Sequence, residues 1–139
     1  MKRLAVVLAA LIAVIAAAVG VSTTVAAPAG AASSWGRVSA PDQTIKAGCH
    51  GYRFHYDVTA PGDAWMAEFT LLNPNGRKVS SHTFESAAEK PSGTSTFDLC
   101  TDLTIPGRYQ IKMKVTSYDY RAASTQQGQP DAFRLKARR

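Results

Sequence analysis

The side chains of this sequence best suited to chemistry are three histidines, a scatter of carboxylates and a pair of tyrosines near the C-terminal end. His55 and Asp57 alternate onto one polar face of a strand-like run, His82 lies in a second run, and His50 adjoins Cys49. Zinc or copper would need at least three such ligands converging. His82 could lie near His55 and Asp57 if the sheets bring these faces together, which spacing alone does not show; the favoured reading is solvated surface histidines, with no metal or other cofactor expected. Hydrolysis needs an activated nucleophile or a matched pair of carboxylates. No serine lies in Gly-x-Ser-x-Gly, and Glu68, Glu85 and Glu89 have no distinctive partner. The expectation is therefore a protein that is not an enzyme. The run Tyr118-Asp119-Tyr120-Arg121 is different. Flat rings offer contact area at small entropic cost, so Tyr118, Tyr120 and Arg121 are the candidate ligand-binding residues. Their alternative is to fold back onto the edge of the domain.

The elements that position these residues begin after an export signal. Met1-Lys2-Arg3 is a short positive start, and Leu4 to Val21 runs for 18 residues without a charge. Small residues follow, in Val25-Ala26-Ala27, Ala29-Gly30-Ala31 and Gly30-Ala31-Ala32. That order predicts a secretory signal peptide over residues 1–32, cleaved after Ala32, with Ala27 and Ala31 as alternatives. It places the mature protein outside the cell with no stable membrane anchor. Residues 33–139 form one domain, enough for a single core. The only two cysteines, Cys49 and Cys100, belong to no Cys-x-x-Cys pair. In a small exported domain they read as a disulfide, here closing a separation of 51 residues.

The net charge of +6 combines 16 basic with 10 acidic residues. Lys2 and Arg3 leave with the signal, and Arg134, Lys136, Arg138 and Arg139 crowd the C-terminus. Residues 33–133 then balance at 10 basic against 10 acidic. The reading is a neutral body with a basic C-terminal tail. Nucleic-acid binding is not expected, because it calls for basic charge gathered on a folded face.

Apolar residues alternate with period two, and no segment carries a helical period. Tyr109, Ile111, Met113 and Val115 line one side of a strand, with Gln110, Lys112 and Lys114 on the other. Tyr52-Phe54-Tyr56-Val58, Trp65-Ala67-Phe69-Leu71 and Phe97-Leu99 repeat the pattern, and Ile45 and Phe133-Leu135 mark outer strands. Asn73-Pro74-Asn75-Gly76 predicts a tight turn folding Trp65–Leu72 onto Lys78–Phe84. Tyr118–Pro130 reads as a polar, Gln-rich connection. One apolar face per strand needs a second sheet to cover it. The fold expected is all-β, a two-layer antiparallel sandwich of about seven strands, its facing sheets tied by the disulfide.

Cys49, Trp65 and the Pro106-Gly107-Arg108-Tyr109 turn-and-strand resemble an immunoglobulin-like or fibronectin-like sandwich. Tyr52-Arg53-Phe54, Asn73-Pro74-Asn75-Gly76 and Pro106-Gly107-Arg108-Tyr109-Gln110-Ile111 together resemble bacterial pre-peptidase C-terminal domains. In immunoglobulin domains the second cysteine follows the corner tyrosine by two residues, where this chain has Ile111. Cys100 instead precedes Tyr109 by nine residues, so the bridge joins different strands. What the resemblance implies is binding, adhesion or spacing rather than catalysis. The partner expected is an extracellular protein or a cell-surface glycan, met by a monomer. The alternative is a small extracellular protease inhibitor, offering the segment Glu85–Gly93 to a protease cleft.

Overall fold

A computed structural model of the protein describes residues 34–138. The expected signal peptide, residues 1–32, lies outside the described residues. Among those described, no helix is long and apolar enough to cross a membrane.

Among the described residues the fold is all-β, with nine strands in two sheets. They are β1 (Gly36–Ser39), β2 (Gln43–Thr44), β3 (Cys49–Val58), β4 (Ala64–Leu72), β5 (Lys78–Glu85), β6 (Ser92–Cys100), β7 (Gly107–Asp119), β8 (Ala122–Gln127) and β9 (Asp131–Lys136). The small sheet runs β1-β3-β6, and the large one runs β2-β9-β7-β4-β5 with β8 also paired to β7. All pairs are antiparallel except the two-residue β2 against β9. The thirteen-residue β7 spans the whole sandwich. Its first half pairs with β9 and its second half with β8, along the same edge.

Each long strand buries alternate residues, as the period-two pattern requires. Tyr52, Phe54, Tyr56 and Val58 of β3 face Trp65, Ala67, Phe69 and Leu71 of β4, together with Tyr109, Ile111, Met113 and Val115 of β7, in one core. Near β5 and β6 that core is aromatic. The Phe54 ring stacks on Phe97 at 4.5 Å between centroids and tilts against Phe69 at 5.3 Å, while Phe84 lies 5.2 Å from Phe69 and 5.0 Å from Tyr56. Such rings bury large areas and gain further from tilted and offset contact.

Two strands beyond the expected seven are β1 and β8. Neither carries an apolar period. β1 contributes Val38 alone to the core, and its closeness to β3 rests on Gly36. A Cβ there would stand 2.3 Å from the Asp57 carbonyl oxygen, and φ is +141°. β8, Ala-Ala-Ser-Thr-Gln-Gln, buries no residue and exists through its ladder with β7. The stretch read as a polar connection is therefore a hairpin turning at Tyr120-Arg121.

The Asn73–Gly76 turn forms as the sequence predicts. Asn73 Oδ1 accepts from the backbone N–H groups of Asn75 and Arg77, each at 3.0 Å, and Gly76 takes the left-handed conformation at φ +75°. At the start of β7 the Tyr109 hydroxyl donates to the Ile105 carbonyl at 3.0 Å. Burial pushes this phenol above its ordinary value of 10.0. Its neutral form is thus favoured by folding, and that contribution is present below pH 10 and lost as pH rises through the folded value. Removing the hydroxyl in Tyr109→Phe lowers stability by about 1 kcal/mol and strands the Ile105 carbonyl. Urea unfolding at neutral pH reads this directly, and an unchanged midpoint would show the bond contributes nothing.

The disulfide joins Cys49 to Cys100. It does not tie the facing sheets together. The two cysteines are direct partners at the end of the β3–β6 ladder, inside the small sheet. Cohesion between the sheets comes from the core, from the Gln43 side chain of β2, which bonds both the N–H and the carbonyl of Arg53 in β3 at 3.0 Å, and from a backbone seam. There the Val38 N–H donates to the Gln129 carbonyl and the Gln129 N–H to that of Gly36.

Candidate functional site

The histidines do not meet. His55 and Asp57 point outward from the small sheet, where His55 Nδ1 lies 2.8 Å from Thr94 Oγ1 and Asp57 pairs with Arg37 at 3.5 Å. His82 turns inward from the large sheet, 5.5 Å from the Phe97 ring and 6.0 Å from that of Phe84. It is half-buried among aromatics rather than solvated, because β5 pairs it with the inward-facing Phe69. His50 Nε2, at the start of β3, sits 2.6 Å from the carbonyl of Ala47 in the preceding loop.

At the opposite end from the disulfide, the structure builds a concave surface. Pairing of β4 with β7 sets Ala64 beside Tyr118, which brings the Pro61-Gly62-Asp63 turn against the β7–β8 hairpin. Between them lies an open cleft of about 660 Å³, walled by Asp63, Ser117, Tyr118, Asp119 and Tyr120. Tyr120 is wholly exposed, so its ring does not fold back onto the sandwich, whereas Tyr118 is 43% exposed and more than half covered. The Asp119 carboxylate accepts from the Tyr120 N–H and holds the hairpin tip in shape. Arg121 occupies the same tip, exposed, outside the cleft lining. Asp63 is the member that the sequence reading missed. Only the β4–β7 register makes it a neighbour of Tyr118.

No protein-family model matches the chain, and no curated protein does. The cleft is therefore read from its chemistry alone. Two tyrosine rings offer stacking faces, and two carboxylates accept hydrogen bonds from hydroxyl groups. The segment Glu85–Gly93 offers less. The N–H groups of Ala88 and Glu89 both bond back to the Glu85 carbonyl, so the loop curls into a helical turn instead of presenting extended backbone.

The basic residues expected as a tail are placed otherwise. Arg134 and Lys136 belong to β9 and are exposed on the outer face of the large sheet. Lys136 pairs with Asp42 at 3.5 Å. The Arg134 backbone N–H, with Lys136 beside it, holds the Asp42 carboxyl below its ordinary 3.8. Arg138 follows the strand, and Arg139 lies outside the described residues.

Proposed function

We propose that the protein is a secreted, non-enzymatic binding module whose cleft between the Pro61–Asp63 turn and the β7–β8 hairpin takes a cell-surface glycan. The observation that carries this reading is the wholly exposed Tyr120 with the partly exposed Tyr118 beside Asp63 and Asp119. An exposed aromatic ring in a stable domain gains nothing for the fold, whereas a sugar ring can lay its C–H face on it. The carboxylates then accept from the sugar hydroxyls, which supplies orientation. Export is supported by the charge-free run Leu4–Val21 and the small residues before Ser33, and by the disulfide, which persists in oxidising compartments. The Tyr109–Ile105 bond at a strand entry is of the kind immunoglobulin-like sandwiches carry, which supports that architectural resemblance.

The test is retention on insoluble cell-wall polysaccharides and a soluble glycan panel. Tyr118→Ala with Tyr120→Ala is expected to weaken binding about tenfold or more, equivalent to about 1.4 kcal/mol, with the thermal midpoint little changed because Tyr120 is wholly and Tyr118 partly exposed. Absence of retention on every glycan, or wild-type retention by the double variant, overturns the proposal.

A further inference from the structure

Only the folded sheets bring cations of the charge-balanced stretch 33–133 onto one face with Arg134, which lies beyond it. On the outer face of the large sheet, Arg108 of β7 stands directly opposite Arg134 of β9. Like charges set opposite in a ladder cost stability. Neither belongs to an ion pair among the described residues, whose three pairs are Arg37–Asp57, Lys114–Glu68 and Lys136–Asp42. Lys112 lies on the same face, four residues along β7 and so about 13 Å from Arg108. Lys78 of β5 lies two strands over and level with Gln110, between Arg108 and Lys112, through its partner Leu72, which in turn partners Gln110. Acidic side chains on this face are three: Glu68, paired with Lys114; Asp42, paired with Lys136 and accepting from the Arg134 backbone N–H; and Glu85, which β5 sets beside Met66 at the far end of the face. Asp57 sits on the small sheet, and Asp63 and Asp119 sit at the cleft end.

From this we infer that the outer face around Arg108, Arg134, Lys112 and Lys78 binds a polyanionic glycopolymer of the phosphodiester type. The cations are spread over some 10–15 Å instead of converging on a point, which suits repeated charges along a flexible polymer. Arg108 and Arg134, about 5 Å apart at the backbone, can share one phosphate between two guanidinium groups. An anion between them also removes the repulsion that the pair otherwise imposes. Single-stranded nucleic acid fits less well, because bases need stacking platforms among the cations. The outward residues here are Arg108, Gln110, Lys112, Thr70, Leu72 and Arg134, and the nearest exposed ring, Tyr118, lies six residues beyond Lys112.

The inference is independent of the cleft and has its own test. Binding to a poly(glycerol phosphate) chain, to uncharged dextran and to oligo(dT) is measured across a salt series. The expected result is binding of the glycerol-phosphate polymer but not dextran, with affinity falling steeply as salt rises. Arg108→Gln with Arg134→Gln is expected to weaken it about tenfold at low salt and to lower the log–log salt slope by about 1.4. That variant is expected to melt no lower than the parent. The pair Arg53→Gln with Lys90→Gln removes the same charge from other surfaces and is expected to leave affinity within about twofold. Equal losses in the two double variants would mean net charge alone is responsible, and the face would carry no site. Tighter binding of oligo(dT) than of the polymer would make the face a nucleic-acid surface and overturn the glycopolymer assignment, as would absence of binding by the parent protein.

Discussion

Replacing Cys49 and Cys100 together by serine is expected to lower the stability of the fold by about 4 kcal/mol. The link spans a sequence separation of 51 residues, and its main action is to deny the unfolded chain the conformations in which those ends are far apart. In the folded protein it adds little geometry, because β3 and β6 are already paired from Cys49–Cys100 through Asp57–Ser92. A domain of this size has about 5–15 kcal/mol to lose, so the serine variant remains folded in buffer but unfolds at much lower urea concentration. A second effect is local. β6 is an edge strand of a three-stranded sheet, and the bridge clamps its last residue. Without it, amide exchange is expected to rise first in Asp98–Cys100 and their partners Cys49–Gly51. Equal urea midpoints for the oxidised protein and the serine variant would refute the entropic account.

Phe54→Ala is expected to cost about 3–5 kcal/mol, the range for emptying an aromatic site in a packed core. The Phe54 side chain is fully buried and its ring touches those of Tyr56, Phe69, His82 and Phe97. It thus links the two sheets at the place where β1, the third strand beside β3, is too short to help. Surrounding rings are rigid and cannot collapse into the void, so most of the cavity term is retained. Phe54→Leu, which keeps most of the volume, is expected to lose under about 1.5 kcal/mol. Chemical unfolding of both variants checks the ordering. A loss of less than about 1 kcal/mol for alanine would mean that the aromatic cluster does not bind the sheets together.

The sheets were legible where burial writes a period into the sequence. Tyr109 to Val115 alternate because one side of β7 must be dry, and the same logic located β3, β4 and the β4–β5 turn. It failed for β8, whose residues are all polar or small and whose pairing is dictated by the free edge of β7. It failed for His82 too, since an imidazole on an inward position looks no different in sequence from one on an outward position. The candidate tyrosines were legible as residues outside the alternation, yet their cleft was not. Asp63 and Tyr118 are 55 positions apart and become neighbours only through the Ala64–Tyr118 register.

By itself, the sequence determined the all-β class, the Cys49–Cys100 partnership and the core residues of the long strands, because alternation and cysteine count are local or combinatorial properties that survive without coordinates. The tertiary structure alone decided that the bridge lies within one sheet, that Arg108 meets Arg134, and that cations from distant segments share one face. Strand order and register govern those outcomes. They are set by the sum of many weak contacts between distant segments, and no single segment carries their record.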